Sequence, residues 1–287
     1  MLSNTCHGLA RWIDALPPSA HKPGDRDEEF QAVTVAGSRL DGRTVLITGA
    51  SGGLGEHFAR ICATAGARVV IGARRTERLE TIAAELEGQG QPTLAIPLDV
   101  TDPATIAAAF DAAEARFGPV DSVIANAGVE KSGPALTLTA EDFDAVFSVN
   151  AKGVFLTACE AARRMIAAGV AERGRVLLVS SITAHSVAPG IAPYSASKAA
   201  VSHMGRLLAR EWARTGPNVN CISPGYIASD MVADWFASEG GQRHLKSFPR
   251  RRLVEEDGLD GAVLYLLSDA AKNTTGADLT VDDGQSL

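Results

Sequence analysis

The stretch Thr48-Gly49-Ala50-Ser51-Gly52-Gly53-Leu54-Gly55 joins an apolar run, Thr44–Thr48, to a helical pattern. Glycines permit a tight turn and let a pyrophosphate approach the backbone, and the free N–H groups of a helix N-terminus attract anions. The spacing G-x-x-x-G-x-G differs from the G-x-G-x-x-G of the usual dinucleotide fingerprint. The turn predicts a dinucleotide site, and a turn kept only for packing is the alternative. The residues of this predicted site are Gly49, Ser51, Gly52, Gly53, Leu54 and Gly55.

Seven short apolar runs alternate with longer helical patterns through the rest of the chain. The runs are apolar almost throughout, which is typical of parallel strands covered by helices on both faces. The predicted strands are Thr44–Thr48, Arg68–Ile71, Thr93–Pro97, Ser122–Ala125, Val176–Ser180, Asn218–Ile222 and Leu279–Val281. The clearest helical patterns are Glu77–Glu87, Pro103–Phe117, Phe143–Ala168 and Ala196–Arg214. We predict an α/β fold of the Rossmann type, a doubly wound, seven-stranded parallel sheet in one domain, with ligands at the carboxyl ends of the strands.

Composition and charge limit the classes of function. Of the 287 residues, 46% are hydrophobic and 21% charged, which excludes disorder over most of the length. The sequence lacks the run of about 18 apolar residues that a membrane span needs. The net charge of −7 argues against a nucleic-acid partner. The four cysteines and six histidines are scattered without metal-ligand spacing, so we expect no metal site and a reducing, cytoplasmic location.

Residues 1–39 differ from the rest in composition. Pro17-Pro18, Pro23-Gly24 and the charged run Asp25–Glu29 predict a mobile segment. Within it, Leu9, Trp12, Ile13 and Leu16 lie at helical spacing and predict a short amphipathic helix at about 9–16. We expect an N-terminal extension, 1–39, ahead of one domain, 40–287. The helix could dock on its own protein or a sister subunit, fray, or bind a membrane or another partner.

The end of the second predicted strand, Gly72-Ala73-Arg74-Arg75, bears on the choice of cofactor. An acidic residue there would bind the ribose 2′-hydroxyl of NAD, whereas a nearby arginine can pair with the 2′-phosphate of NADP. Ala73 cannot play the acidic role, so Arg74 and Arg75 favour NADP(H), with NAD(H) possible. A solvated helix start is the alternative. Asp99, after the third strand, could accept a hydrogen bond from the adenine amino group or cap the next helix.

Tyr194 and Lys198 are four residues apart and would share one face of a helix. The ammonium group can then lie close to the phenol, where it would stabilise the phenolate and lower the pKa of the tyrosine from about 10. Such a shift suits a side chain that exchanges a proton near neutral pH. The pair suggests acid–base chemistry, although one such pair does not decide it.

Several motifs in a fixed order make the chain, from about Leu40 to its end, resemble the short-chain dehydrogenase/reductase family. The T-G-x-x-x-G-x-G turn matches at Thr48–Gly55, the Y-x-x-x-K pair at Tyr194–Lys198, and a serine 13 residues before the tyrosine at Ser181. Further matches are Asn126-Ala127-Gly128, Asn150 and Pro224-Gly225. Each motif is short, but all of them occur in the order found in the family. The probability that they all match by chance is negligible.

The resemblance implies hydride transfer between a nicotinamide and a carbonyl or alcohol carbon. Tyr194 would donate the proton to the carbonyl oxygen during reduction, and Lys198 would lower its pKa and bind the nicotinamide ribose. Ser181 would polarise the substrate oxygen, and Asn150 would hold a relay water through its effect on the helix backbone. Neutral donors beside a developing alkoxide stabilise the charge of the transition state.

The resemblance also implies cofactor contacts and self-association. The main chain of Ile227 and the side chain of Ser229 correspond to carboxamide contacts after the Pro224-Gly225 turn. Dimers or tetramers would form through the two long helices after the fourth and fifth strands. The remaining implied cofactor contacts are Val100, Asn126, Ala127, Gly128, Tyr194 and Lys198.

Two positions depart from the family pattern. Ala125 precedes Asn126 where many members have a second asparagine, and we expect little effect. Val281-Asp282-Asp283-Gly284 stands where V-D-G-G is frequent. With Asp283 in place of glycine, the family's conformation of the C-terminal turn and an interface contact there are open to question. The predicted chemistry is not affected.

The segment Ser229–Leu253 is where the resemblance places substrate specificity. Its aromatics and glycines suit a mobile cover over an apolar part of the substrate. Trp235 is a candidate substrate contact together with Ser181, His185 and Tyr194. His185 could instead pack or act as a second acid or base. The basic cluster of this segment, Lys246, Arg250, Arg251 and Arg252, could meet a carboxylate or phosphate or simply be solvated.

The leading hypothesis is an NADP(H)-dependent enzyme that interconverts a ketone and a secondary alcohol. The substrate stays open among 3-oxoacyl thioesters, keto sugars, steroids and cyclic ketones. The alternatives are an NAD-dependent alcohol or polyol dehydrogenase, a dinucleotide-sensing protein without turnover, and an enzyme held at a membrane by Leu9–Leu16.

Overall fold

The computed structural model describes residues 38–228 and 230–287, and leaves the side chains of residues 230–233 undescribed. The predicted helix at 9–16, most of the predicted extension and Ser229 lie outside the described residues. Among the described residues, no helix is both long and apolar enough to cross a bilayer. The same residues contain no group of three side chains suited to hold a metal ion.

The predicted doubly wound parallel sheet is confirmed. Seven strands of the described chain pair in the order β3-β2-β1-β4-β5-β6-β7, with every neighbouring pair parallel. The order reverses between β1 and β4, and the crevice at the carboxyl ends of those strands is where such sheets bind ligands. The strands are β1 (Thr44–Thr48), β2 (Arg68–Ala73), β3 (Thr93–Pro97), β4 (Ser122–Ala125), β5 (Arg175–Val179), β6 (Asn218–Pro224) and β7 (Asp278–Val281).

Helices cover both faces of the sheet because neighbouring strand residues point to opposite sides. On β1, Val45 and Ile47 join the apolar cluster that contains α1, α2 and α9, while Leu46 joins the cluster that contains α3, α5 and α6. The helices are α1 (Gly53–Thr64), α2 (Thr76–Gly88), α3 (Pro103–Phe117), α4 (Ala140–Phe147), α5 (Val154–Ala167), α6 (Ala192–Trp212), α7 (Asp230–Ala237), α8 (Glu239–Ser247) and α9 (Asp260–Leu267).

The predicted single helix Phe143–Ala168 is wrong in its continuity. It begins earlier, at Ala140, because Thr139 and Asp142 form a reciprocal capping box. A π-helical stretch, Ser148–Gly153, then separates α4 from α5. Such stretches are rare inside helices and occur frequently at functional sites.

The amino-terminal edge of the sheet buries a group of charges. Arg43 precedes β1, and its side chain is 2% exposed. Its guanidinium donates to the Arg173 carbonyl oxygen at 2.9 Å and lies 3.6 Å from the carboxylate of Asp121, and it also pairs with Asp269. Burial raises the pKa of Asp121, whereas the positive charges of Arg173 and Arg43 lower it. The buried carboxylate is therefore kept ionised by the arginines beside it.

Candidate functional site

The glycine turn after β1 packs tightly against the loop after β4. The Thr48 hydroxyl accepts the N–H groups of Asn126 and Ala127, each at 3.1 Å. A Cβ on Gly49 (φ +70°) would lie 2.7 Å from the Ala127 Cα, and one on Gly55 would lie 2.3 Å from the Gly49 carbonyl oxygen. Glycine is therefore required by close approach at both positions, and the contacts bring Asn126 and Ala127 beside the turn.

The start of α1 offers an anion site of the predicted kind. Among the described residues, Gly52 at the N-cap is not aided by any side-chain cap, so the first N–H groups of α1 remain available. Gly53 adopts a φ of +53°, and a Cβ there would meet open space. Arg75 reaches over from the start of α2 and donates to the Ser51 hydroxyl at 3.1 Å. These features fit the phosphates of a dinucleotide.

Asp99 follows β3, and Asp102 rather than Asp99 caps α3 by accepting the Ala104 N–H at 2.9 Å. One Asp99 oxygen accepts the N–H and hydroxyl of Thr101 at 2.9 and 2.8 Å, and these hydrogen bonds lower the pKa of Asp99. Val100 packs on the π-helical stretch, since a Cβ on Gly153 would lie 2.6 Å from its side chain. Contacts of Asp99 and Val100 with the cofactor stay predictions.

Asn150 lies in the π-helical stretch and is fully buried. Its amide holds the loop after β4, accepting from the Val129 N–H at 2.8 Å and donating to the Val129 carbonyl at 2.9 Å. It also donates to the Ser197 hydroxyl on α6 at 3.1 Å. An added Cβ on Gly128 would be 3.6 Å from the Asn150 oxygen and 3.7 Å from the Lys198 nitrogen. Asn150, Gly128 and Lys198 thus meet at one point.

Ser181 lies just past β5 and caps a short 3-10 turn. Its oxygen accepts the N–H and the hydroxyl of Thr183, both at 3.1 Å. A serine hydroxyl accepts two hydrogen bonds and donates one, so the Ser181 proton remains for a third partner, and the Tyr194 oxygen, whose pKa the Ser181 hydroxyl lowers, is close enough to be that partner. An oxygen bound in front of β5 can take its place.

Lys198 and Tyr194 lie on successive turns of α6. The Lys198 nitrogen donates to the Val179 carbonyl at 2.8 Å and lies 5.6 Å from the centre of the Tyr194 ring. Burial lowers the pKa of Lys198 to about 8. Burial also raises the pKa of Tyr194 to about 12, and the Ser181 hydroxyl opposes this rise. Burial is the largest influence on the phenol here, and the lowering of the tyrosine pKa by Lys198 stays a prediction.

The predicted Pro224 ends β6, and the predicted Gly225 and Ile227 lie in the loop that follows. A Cβ on Gly225 would lie 2.5 Å from the side-chain oxygen of Gln285, so the C-terminal segment closes on this turn. Ile227 forms an isolated parallel bridge with Val254. The sequence analysis missed Gln285 because a lone glutamine near a chain end carries no periodic or motif signal.

An aromatic cluster, which the sequence analysis also missed, follows this loop. The Tyr226 ring centre lies 5.5 Å from Phe236, 5.0 Å from His244 and 5.7 Å from Phe248. These residues all lie within 226–248 and meet because α7 and α8 fold back beside the loop. Trp235 is half exposed, as a substrate contact could be, although its contact with substrate stays a prediction.

His185 contacts β7 in this structure. Its Nε2 lies 3.1 Å from an Asp278 oxygen, and the same carboxylate accepts the hydroxyls of Ser223, at 2.6 Å, and of Ser202. This contact fits the packing alternative, and contact between His185 and a substrate stays a prediction.

The basic cluster of the substrate segment is partly paired. Arg250 and Arg252 both bind the carboxylate of Asp283. The unusual aspartate of the C-terminal turn therefore occupies two of the four basic groups that could have met an anionic substrate.

Known proteins of similar sequence and structure agree with this architecture. The model of the short chain dehydrogenase family matches residues 43–240. A gluconate 5-dehydrogenase of Gluconobacter oxydans is 35% identical over 85% of this chain and 95% of its own, and a D-threitol dehydrogenase of Mycolicibacterium smegmatis is 34% identical over 87% and 95%.

A solved structure extends the likeness to three dimensions. A gluconate 5-dehydrogenase from Burkholderia cenocepacia, in complex with NADP and tartrate, is 34% identical and superposes with a TM-score of 0.82 over 87% of this chain and 97% of its own. The fold, the order of the motifs and these matches agree: the chain belongs to the short-chain dehydrogenase family and is an oxidoreductase that acts on CH–OH groups.

Proposed function

We propose that this enzyme interconverts a ketone and a secondary alcohol on a hydroxylated carbon chain, with NADP(H) as the cofactor. One observation carries the proposal. Ser181, Tyr194, Lys198 and Asn150 are gathered at the carboxyl edge of the sheet, with Lys198 and Asn150 both next to Gly128 of the loop that packs on the glycine turn.

The glycine turn and the start of α1 would hold the pyrophosphate, and Arg74 and Arg75 the 2′-phosphate. Ala73, the last residue of β2, offers no carboxylate for a free 2′-hydroxyl. The Pro224-Gly225 turn, Ile227 and Ser229 would hold the nicotinamide end. The bound cofactor would supply or accept the hydride, which is chemistry that no side chain of the protein provides.

The proton steps fall to the protein. With a pKa of about 12, Tyr194 is a neutral phenol at physiological pH and can donate its proton to the oxygen of a ketone. The Ser181 hydroxyl can donate its proton to the same oxygen, which stabilises the developing alkoxide. Lys198 would place its positive charge beside the phenolate and bind the ribose, and Asn150 would keep the adjoining backbone in place.

The names of relatives favour one substrate class among those that the motifs leave open. Two relatives are called gluconate 5-dehydrogenase and D-threitol dehydrogenase, and a third was solved with NADP and tartrate. Their common chemistry is a chain of secondary alcohols, with or without a carboxylate. We therefore place sugar acids and polyols ahead of 3-oxoacyl thioesters and cyclic ketones.

A substrate panel tests this proposal. Gluconate and D-threitol are offered with NADP⁺ or NAD⁺, and a 3-oxoacyl thioester and a cyclic ketone with NADPH or NADH, while nicotinamide absorbance is followed. We expect turnover with a polyol or sugar acid and a higher kcat/KM with NADP⁺. Faster turnover of the thioester would overturn the substrate class, and a lack of turnover with every pair would overturn the proposed activity.

The arginines at the start of α2 give a test of cofactor choice. Arg74→Ala should raise the KM for NADPH about 10- to 100-fold, since hydrogen bonds to a charged group contribute about 1.5–3 kcal/mol. The KM for NADH should change little. Arg78→Ala is the matched control, because Arg78 lies close by in the first turn of α2 and pairs with Glu56 at 3.3 Å. An equal rise for both cofactors in the Arg74 variant would refute the 2′-phosphate contact.

We also propose that the enzyme works as a homodimer or homotetramer in the cytoplasm. The two long helices α5 and α6 expose Phe155, Ile166 and Leu207, which are 43%, 46% and 55% accessible. Cys62, Cys159 and Cys221 are free thiols, in keeping with a reducing compartment. Light scattering of the purified protein at several concentrations measures the assembly, and a monomer throughout would count against it.

A further inference from the structure

The C-terminal turn holds the loop after β6 through its main chain. The side chain of Gln285 accepts the Tyr226 N–H at 2.7 Å and donates to the Tyr226 carbonyl at 3.1 Å. The same side-chain nitrogen donates to the Arg252 carbonyl at 3.2 Å. Val254 adds two bonds, since its N–H donates to Tyr226 and its carbonyl accepts from Ala228, both at 2.9 Å. We call the paired stretches 226–228 and 252–254 the neck.

Asp283 binds the same neck through charge. Its carboxylate accepts Arg252 Nε at 2.6 Å and Nη2 at 3.3 Å, and Arg250 Nη1 at 2.9 Å. These bonds lower the pKa of Asp283, with the Arg252 hydrogen bond as the largest cause. One carboxylate therefore ties two basic residues, one on either side of Arg251, to the C-terminal turn.

Backbone strain marks the same contact from both sides. Arg251 and Asp283, each with a φ of +53°, are the non-glycine residues with positive φ in the described part of the chain. Left-handed backbone is unfavourable for such residues and persists where the surroundings enforce it, frequently at ligand clamps. The two strained residues lie on opposite sides of one ion-paired contact, so the surroundings hold this contact in place against a local cost in backbone energy.

The neck leads directly to the site. Tyr226 follows the Pro224-Gly225 turn, and its ring packs against Phe236, His244 and Phe248. Phe248 is two residues before Arg250, so a shift of the arginines would move the aromatic cluster and the Tyr226 ring together. The carboxylate of Asp283 binds Arg250 and Arg252, which follow Phe248 closely along the chain.

We propose that Asp283 is a positioning residue that sets substrate affinity by clasping Arg250 and Arg252 and so fixing the neck and its aromatic cluster. The proposal rests on the proposed function, because substrate is taken to bind beside this cluster. Arg250 and Arg252 then serve as structural partners of the clasp rather than as ligands for an anionic substrate.

Variants of Asp283 test the clasp. Asp283→Asn and Asp283→Gly should raise the substrate KM about three- to tenfold, as expected for the loss of partly exposed ion pairs, while kcat and the Kd for NADPH change less than about twofold. Asp283→Glu should restore part of the affinity. Added KCl should raise the KM of the wild type and leave that of Asp283→Asn nearly unchanged. Glu239→Gln, which removes an exposed ion pair with Arg243 on α8, is the matched control.

A second readout does not require turnover. Trypsin cleaves after lysine and arginine, and cleavage after Arg250, Arg251 and Arg252 should be a few-fold faster in Asp283→Asn than in wild type or Glu239→Gln. Wild-type KM and wild-type cleavage in Asp283→Asn would refute the clasp. If Asp283→Asn is cleaved faster but has an unchanged KM, or loses NADPH binding and thermal stability to the same extent, Asp283 contributes to folding and does not set substrate affinity. If the wild type turns over no substrate, the proposed function fails, and the cleavage rates still decide whether the clasp exists.

Discussion

Tyr194→Phe should reduce turnover about 100- to 10,000-fold, the range that a positioned general acid contributes. The substitution removes one oxygen and keeps the ring, which lies 5.6 Å from the Lys198 nitrogen. Because the cofactor contacts proposed at the glycine turn and at Arg74 and Arg75 are unaffected, the Kd for NADPH should change less than about threefold. Steady-state rates with the best substrate of the panel and titration of nicotinamide fluorescence measure the two effects.

A second tyrosine provides the control for this experiment. Tyr265 on α9 bonds its hydroxyl to Thr274 at 2.8 Å, away from the proposed site. Tyr265→Phe should retain turnover close to that of the wild type. If Tyr194→Phe and Tyr265→Phe have similar activity, Tyr194 is not the proton donor.

Arg43→Met should lower the free energy of unfolding by about 3–5 kcal/mol, the cost of breaking a buried ion pair from one side. The substitution keeps much of the side-chain length but leaves the Asp121 carboxylate, whose pKa burial already raises, with one fewer cation. It also leaves the Arg173 carbonyl without the donor 2.9 Å away. Urea unfolding followed by circular dichroism measures the loss.

Arg39→Met is the matched substitution at an exposed pair. Arg39 binds Asp41 with both side chains about half exposed or more, at 49% and 63%. Exposed pairs of this kind contribute about 0–1 kcal/mol. Equal destabilisation by the two substitutions would show that burial at the amino-terminal edge of the sheet adds nothing to the strength of the Arg43 contacts.

Much of the sheet could be predicted because local signals and tertiary packing agree. Thr44–Thr48, Thr93–Pro97 and Ser122–Ala125 have the predicted limits. A strand buried on both faces must be apolar at successive positions, and few other structures give that pattern. The glycines at 49 and 55 were equally readable, since close backbone approach requires them.

The helical region around Asn150 could not be predicted from periodicity. The apolar pattern through Phe143–Ala168 is nearly continuous, and the π-helical stretch depends on a tertiary contact, the hydrogen bonds between Asn150 and Val129. Tyr194 shows a similar limit. Its spacing from Lys198 was visible, but the pKa of the phenol depends on burial, which only the folded chain supplies.

The parts of the site that sequence reasoning missed come together over long separations. Gln285 binds Tyr226, and Asp283 binds Arg252. Over a shorter stretch of chain, Tyr226 meets Phe236 on α7 and Phe248 just after α8. The aspartate at 283 was noticed as a departure from the family pattern. Its partners were also noticed, as a basic cluster, but their pairing required the fold.

The π-helical stretch Ser148–Gly153 has a consequence for how this chain can change in length. A π turn accommodates one residue more than the α-helical ladder, so deletion of one residue here would let α4 run straight into α5. The continuous helix would have better local bonding, and α4 and α5 would keep their packed faces because the π turn already absorbs the extra residue; the backbone around Asn150 is the part that would change. Asn150 would then leave Val129. A protein with one residue deleted at this point should therefore still fold. It should not catalyse the reaction, so such deletions should be absent from natural relatives that depend on that activity.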